Sequence, residues 1–441
     1  MRKLFLCVLA LSTASVAVAT ACDSDDTVNP TATTNDAGGP EVGPTVVVDS
    51  GGFGDSAPPL RKCGDITGAP PRLLLTLNQT TTSEVAAINL STNAVDGRLT
   101  YTSKFGTTWA KNEDPYVLAG ETDVVSRLDP QQPWNVLSSW NIRGADGKDG
   151  GKENAQPVAI VVPDCKKGYV LRFNRNKIAV IDTTEAANGG APKSYIDLSS
   201  LLDANDTDGL VEMTGALWVP AKNRIFVLLG NIDINKVALD GYTALCASSK
   251  PTIIAIDPAT DTIDPIKYTL NGYNPPLGPT FAYDAKNDRF IVMSAGCNVP
   301  LDDGGPGPTI AQRRIEAIDA KTGDVTTLLS LDDQGFPTGF EYVDDSHAVV
   351  GFFGSTYFWD PQTSALGASI AGGIDYMAKA SSTRIVGARA TYLDDGGPGP
   401  IQVVSLPLVD GGVGDATVLT ENPFTKNNSG FLGAAEVWPR P

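Results

Sequence analysis

A short apolar run that ends in a polar residue and a turn recurs seven times in this sequence. A chain with such a period is built from equivalent units. The copies are EVAAINLST with Asn89 in the polar slot, DVVSRLDPQ with Asp129, KIAVIDTTE with Asp182 and IIAIDPATD with Asp257. RIEAIDAKTG with Asp319, TYFWDPQTS with Asp360 and a degenerate IQVVSLP with Ser405 complete the set. From Asn89 to Ser405 the intervals average about 53 residues, close to the roughly 50-residue period of propeller blades. Each copy reads as a β-strand entering a tight turn, with Asp, Pro and Thr supplying the turn chemistry.

Two further strands stand upstream of most copies. The nearer ones are KNRIFVLLG (Lys222–Gly230), NDRFIVMSAG (Asn287–Gly296) and SHAVVGFFG (Ser346–Gly354). The farther ones are GALWVP (Gly215–Pro220), TFAYD (Thr280–Asp284) and GFEYV (Gly339–Val343). The 441-residue chain carries 45 Gly and 31 Pro, which favours turns over long helices, and 41% hydrophobic residues, ample for a core. Four-stranded units repeated seven times predict an all-β fold, a single seven-bladed β-propeller over residues 63–441. The ends predict how the ring closes. Gly433–Pro439 resembles the first strand of a unit, yet no second strand follows it. Arg72–Leu77 is a second strand without a first. The C-terminal strand is therefore expected to complete the first blade, which hides edges that would otherwise pair with other chains.

The N-terminus predicts an address. Residues 1–21 carry Arg2 and Lys3, then an apolar stretch with small residues at its end, the pattern of a signal peptide. Ala19-Thr20-Ala21-Cys22 resembles a bacterial lipobox, in which the cysteine carries the lipid, although the family prefers Leu where Ala19 stands. Cleavage of an ordinary signal peptide without lipid is the plainer alternative. Residues 22–62 are rich in Asp, Gly, Pro, Thr and Ser and read as a flexible tether. A coil of that length spans roughly 30–35 Å. The expected location is the cell envelope, with the membrane engaged through the lipid anchor, and a monomer is expected.

The stretch Gly168–Thr183, GYVLRFNRNKIAVIDT, resembles the YVTN-type repeat of bacterial surface propellers. Tyr195–Ser199, Asp206–Met213 and the IIAIDPATD strand resemble the large secreted propeller lipoproteins of predatory and soil-dwelling bacteria. The resemblance covers most of residues 150–330. It implies a fold and an envelope location and no single activity.

Four cysteines remain once Cys7 is removed and Cys22 lipidated: Cys63, Cys165, Cys246 and Cys297. An oxidising compartment favours disulfides. Cys246 and Cys297 both fall between the second and third strands of successive blades, so they share a face and are expected to pair. Cys165 lies in a first-to-second-strand turn and Cys63 precedes a second strand, so both favour the opposite face and the pair Cys63–Cys165. Four buried free thiols are the alternative.

Composition excludes several functions. The formal net charge is −18, against the clustered basic residues that nucleic acid requires. One histidine, His347, rules out multi-histidine zinc sites and His–His acid–base pairs. It sits in the turn Asp344-Asp345-Ser346-His347, away from the expected channel. There is no G-x-S-x-G, Walker loop, C-x-x-C or Rossmann glycine pattern. Acidic residues fall near or within expected inner strands: Glu212, Glu341, Asp375 and Glu436. Converging on the central channel, they would hold Ca2+, as in lactonase-type propellers. The plainer reading is strand-end acids facing water. The octapeptide LDDGGPGP occurs at 301–308 and again at 393–400, close to two blades apart, and reads as a solvated loop whose paired aspartates could touch Ca2+. Asp203–Gly209 resembles a calcium loop loosely, without a first ligand at Ala204 or a glutamate at the twelfth position. Arg143–Lys152 reads as a solvated loop. The expected function is a non-enzymatic binding or scaffold module for protein or glycan. The alternative is a Ca2+-dependent lactonase or hydrolase using the channel carboxylates, and a quinoprotein-type oxidoreductase comes third.

Overall fold

Strand Arg72–Asn78 reads RLLLTLN and is buried on both sides, the pattern of a strand sandwiched between two sheets. Leu73, Leu75 and Leu77 pack toward one neighbouring sheet and Leu74 toward the other. The same demand, repeated, generates the architecture. The structure, a computed structural model, describes residues 68–439 and the backbone of strand Thr45–Val48. Residues 112–113, 145–152, 186, 205, 234, 237–244, 247–248, 279, 301–305, 353–354, 371–373, 393–397, 411 and 426–429 are excepted.

Seven antiparallel sheets follow one another along the chain. Blade 2 comprises Gly106–Trp109, Tyr116–Ala119, Val124–Leu128 and Val136–Asn141. Blade 3 comprises Pro157–Val161, Lys167–Arg172, Lys177–Asp182 and Ser194–Asp197. Blade 4 comprises Met213–Val219, Arg224–Leu229, Thr252–Asp257 and Thr262–Thr269. Blade 5 comprises Phe281–Asp284, Arg289–Ser294, Arg314–Asp319 and Val325–Ser330, with the hairpin Cys297–Pro300/Pro306–Ala311 inserted. Blade 6 comprises Pro337–Asp344, His347–Phe352, Ser355–Asp360 and Ala365–Ile370. Blade 7 comprises Tyr376–Ser381, Arg384–Tyr392, Pro398–Val409 and Thr417–Glu421. Blade 1 takes Arg72–Asn78, Ser83–Asn89 and Val95–Tyr101 from the start of the chain, and its first strand, Phe431–Trp438, from the end. The fold is a seven-bladed β-propeller. Its apolar clusters lie between blades and run around the ring, from blades 1 and 2 through 2, 3 and 4, 4 and 5, 5 and 6 and 6 and 7 back to 7 and 1.

All seven copies of the repeat are third strands. In six of them the polar residue closes an Asx turn, its Oδ1 accepting the amide two residues on. The pairs are Asn89–Ser91, Asp129–Gln131, Asp182–Thr184, Asp257–Ala259, Asp319–Lys321 and Asp360–Gln362, at 2.8–2.9 Å. This hydrogen bond explains the recurring Asp: it turns the chain from third to fourth strand without help from a neighbour. Ser405 differs. The third strand of blade 7 runs on to Val409, where it pairs with Gly412–Val413. A serine hydroxyl makes a weaker turn than a carboxylate.

One finding modifies the tether. Thr45–Val48 runs parallel to Arg98–Tyr101 and adds a fifth strand to blade 1. The β-branched run TVVV meets the open outer edge of that blade, so part of the 22–62 segment is attached to the domain.

Candidate functional site

Antiparallel alternation gives the propeller two unlike faces. Turns from first to second strands and from third to fourth strands share one face, which carries the Asx turns. The second-to-third and blade-to-blade connections share the other. On this second face blade 4 sends out residues 230–251 and blade 5 residues 295–313. Residues 198–212 lead from blade 3 into blade 4.

Cys246 and Cys297 form a disulfide on this face, with Cα atoms 4.9 Å apart, across 51 residues of sequence. It joins the long loops of blades 4 and 5, as expected. Closing a loop of that size removes about 4 kcal/mol of unfolded-chain entropy in the simple chain model, and 2–4 kcal/mol is typical. Replacing both cysteines with serine is expected to lower the urea midpoint and to raise hydrogen exchange first in residues 230–251; unchanged exchange there would contradict this assignment. Cys165 sits in a first-to-second-strand turn of blade 3, on the opposite face, and is disulfide-bonded. Cys63 and Cys22 lie outside the described residues.

The two LDDGGPGP copies both fall in sequence between a second and a third strand. The first leads across the inserted hairpin of blade 5, between Cys297–Pro300 and Pro306–Ala311. The second links Arg384–Tyr392 to Pro398–Val409 in blade 7. Residues 301–305 and 393–397 of these copies, and most of the Arg143–Lys152 loop, lie outside the described residues.

The channel carboxylates sit in or beside inner strands. Glu212 precedes the first strand of blade 4, Glu341 lies in that of blade 6, Asp375 precedes that of blade 7, and Glu436 lies in that of blade 1. No three of them bring ligand atoms within 4.8 Å of one another. Two are tied to the backbone of their own blades. Glu212 Oε2 accepts the Ile232 amide at 2.8 Å, and Asp375 Oδ2 accepts the Ala390 amide at 2.8 Å. Burial raises the Asp375 pKa, opposed by that amide and by Arg389. Both strand entries are therefore pinned by carboxylates.

His347 lies on the Asx-turn face. Its Nδ1 stands 2.9 Å from Asp344 Oδ1 and its Nε2 3.2 Å from the Val409 carbonyl of blade 7. That is a bridge between blades, remote from the long loops.

Among the described residues, one group of three acids comes within metal-binding distance: Asp206, Asp208 and Asp233. Asp206 and Asp208 belong to the Asp203–Gly209 loop. Asp206 Oδ1 accepts the amides of Asp208 and Gly209, and Asp208 Oδ1 accepts that of Leu210. Asp233 comes from the long loop of blade 4 and was not singled out in the sequence. Its one signal is a carboxylate in the run Ile232-Asp233-Ile234, where an apolar residue would be expected beside a strand end. Asp233 is 1% exposed and holds Thr207 through its amide and hydroxyl. Burial opposes its charge, but Thr207, Lys236 and Asn235 outweigh it and hold its pKa below the usual carboxylate value. Glu212 is buried. Burial, then repulsion from Asp208, Asp206 and Asp233, push its pKa well above the ordinary carboxylate range.

No protein-family model and no curated protein matches this sequence. Solved structures match the fold. A hypothetical selenium-binding protein from Sulfolobus tokodaii aligns over 83% of this chain and 94% of its own, at 10% identity and a TM-score of 0.54. A protein provisionally named 6-phosphogluconolactonase, from Bacteroides fragilis, aligns over 86% of this chain and 99% of its own, at 10% identity and a TM-score of 0.49. AztD of Citrobacter koseri aligns over 83% and 97%, at 12% identity and a TM-score of 0.44. At such identities the likeness speaks to the propeller fold alone.

Proposed function

We propose that this protein is a cell-envelope lipoprotein, anchored through Cys22, whose propeller offers its long-loop face to a protein or glycan partner. The observation that carries the reading is the asymmetry of the two faces. One carries the Asx turns of six blades. The other carries the long second-to-third connections of blades 4 and 5 and the Cys246–Cys297 disulfide. Rigid scaffolds that carry variable loops on one side are suited to recognition. A lactonase-type reaction needs carboxylates converging on one ion. Among the described residues no three of the four channel candidates bring ligand atoms within 4.8 Å of one another, and Glu212 and Asp375 each bind a backbone amide.

Photo-crosslinking in intact cells tests the reading. Val299 is exposed on the inserted hairpin of the long-loop face, and Gln362 is exposed in an Asx turn of the other face. A photoreactive residue at 299 is expected to yield a discrete adduct and one at 362 none. Adducts from 362 alone would overturn the assignment of the face. For the anchor, Cys22→Ala is expected to move the protein from the membrane to the soluble fraction with its melting midpoint unchanged. Two or three acyl chains anchor stably at about 0.8 kcal/mol per buried CH2, where one is marginal. An unmodified Cys22 in the N-terminal peptide of wild-type protein, read by mass spectrometry, would remove the lipid from the proposal.

A further inference from the structure

We propose that the outer edge of blade 6 binds an extended peptide, a segment of a partner protein that carries small or β-branched residues and a Lys or Arg. The strand Ala365–Ile370 is the fourth of its blade, and among the described residues it pairs on one side only, with Ser355–Asp360. Open edges invite further strands, and proteins blunt them with charge, proline or a cover. Five blades use these devices. Thr45–Val48 covers blade 1. In blade 2 the Ser139 and Asn141 amides donate to the carbonyls of Ala187 and Gly190. The outer strand of blade 3 contains Asp197, that of blade 4 Asp264, Pro265 and Lys267, and that of blade 7 Glu421. Blade 5 (VTTLLS) and blade 6 (ALGASI) carry neither charge nor proline in theirs.

Blade 6 adds a groove of about 570 Å³, within the range of ligand sites. Successive side chains of a strand point to opposite faces, yet all six residues of Ala365–Ile370 line this groove. It therefore runs along the backbone edge rather than over one face. Gly412–Ala416, from the hairpin that extends the third strand of blade 7, also line it. Gly367, Gly412 and Gly414 leave room for another main chain to come close. The charged lining residues are Asp360 and Asp415, which favour a basic residue and repel an acidic one. A second copy of the chain fits less well. A six-residue edge falls short of the roughly 1,200–2,000 Å² of a stable interface, and two chains of net charge −18 repel. Gln362 does not line the groove, and its Nε2 donates to Ser346 Oγ at 3.1 Å. The site lies on the outside of the ring and does not rest on the partner assigned to the long-loop face.

The test is fluorescence anisotropy of the full-length protein with the labelled peptide KTVVVK, built on the run that adds to blade 1, together with hydrogen exchange of the complex. Saturable binding is expected, with a dissociation constant of about 10–100 µM, as suits strand addition over a small contact. New amide protection is expected in residues 365–370. The peptide ETVVVE is expected to bind at least tenfold more weakly. Ser369→Lys and Asp415→Lys, both at exposed positions, are each expected to weaken KTVVVK at least tenfold with the melting midpoint unchanged. No saturable binding of KTVVVK up to about 1 mM overturns the proposal, as does binding that neither variant weakens. Protection confined to residues 95–101, the edge that Thr45–Val48 occupies, also overturns it. Self-association in analytical ultracentrifugation that Ser369→Lys abolishes would give the edge to a second copy and overturn the peptide assignment. If one variant does not fold, the other decides.

Discussion

Removal of residues 433–441 is expected to abolish cooperative unfolding of the entire domain, although it takes only the end of the chain. The strand Phe431–Trp438 pairs with Arg72–Asn78 from Arg72 opposite Trp438 to Asn78 opposite Phe431. The deletion leaves that ladder open along most of its length. It also removes Ala434, Ala435, Val437 and Trp438, all buried. Loss of a buried Trp costs about 3–5 kcal/mol, and a fully buried Val contributes about 1.5–3 kcal/mol. Those two terms alone approach the 5–15 kcal/mol by which a domain is stable. Trp438 further donates its indole N–H to the Pro130 carbonyl of blade 2 at 3.2 Å. Just upstream, Thr425 donates to Glu84 and the Pro423 carbonyl accepts from Arg98, so the returning chain is clamped to blade 1 before it closes the ring. Gly433 belongs to the same closure: a Cβ there would stand 2.7 Å from the Gly106 carbonyl of blade 2. Circular dichroism melts of the truncated and intact chains check the expectation, and equal midpoints would contradict closure by the C-terminal strand.

Asp114→Ala is expected to destabilise the propeller by about 3–5 kcal/mol, the usual result of stranding one member of a buried ion pair. Asp114 Oδ2 lies 2.6 Å from Arg127 Nη2, with the two side chains 0% and 3% exposed. Arg127 Nε reaches the same oxygen at 2.7 Å, and Nη1 donates to the Thr183 carbonyl of blade 3 at 3.1 Å. The pair thus ties blade 2 to the Asx turn of blade 3. Without Asp114, the guanidinium stays buried between those blades without its carboxylate. Replacing both partners, Asp114→Leu with Arg127→Met, is expected to recover most of the loss, because the desolvation of two charges disappears with the attraction. Urea midpoints at constant m-value test both variants. A double variant as unstable as Asp114→Ala would locate the effect in packing rather than in charge.

The repeat of third strands was legible in the sequence because its cause is local. An Asp at the strand end accepts an amide two residues away, so the turn is written within four residues and recurs wherever a blade needs it. Blade number, strand order and the pairing of the chain ends follow from that period and from two incomplete units. The Cys246–Cys297 disulfide was readable for the same reason, since antiparallel alternation assigns each loop to a face. Ser405 marks the limit of this reading: a hydroxyl in the polar slot does not stop the strand, which continues to Val409.

What only the tertiary structure decided concerns carboxylates from separate segments. Glu341 and Glu436 sit on the expected inner strands and Glu212 and Asp375 just before theirs, yet convergence depends on blade tilt and side-chain direction, which no spacing encodes. Two of them serve the backbone of their own blades instead. Asp233 joins Asp206 and Asp208 because the long loop of blade 4 folds back beside the connection from blade 3, a path fixed by packing and by the Thr207 hydrogen bonds rather than by local sequence. Likewise TVVV in the 22–62 segment carries no mark of its partner, and only the open edge of blade 1 made a strand of it. Sequence fixed what neighbours along the chain can settle through turns and periodicity; approach between distant loops required the folded ring.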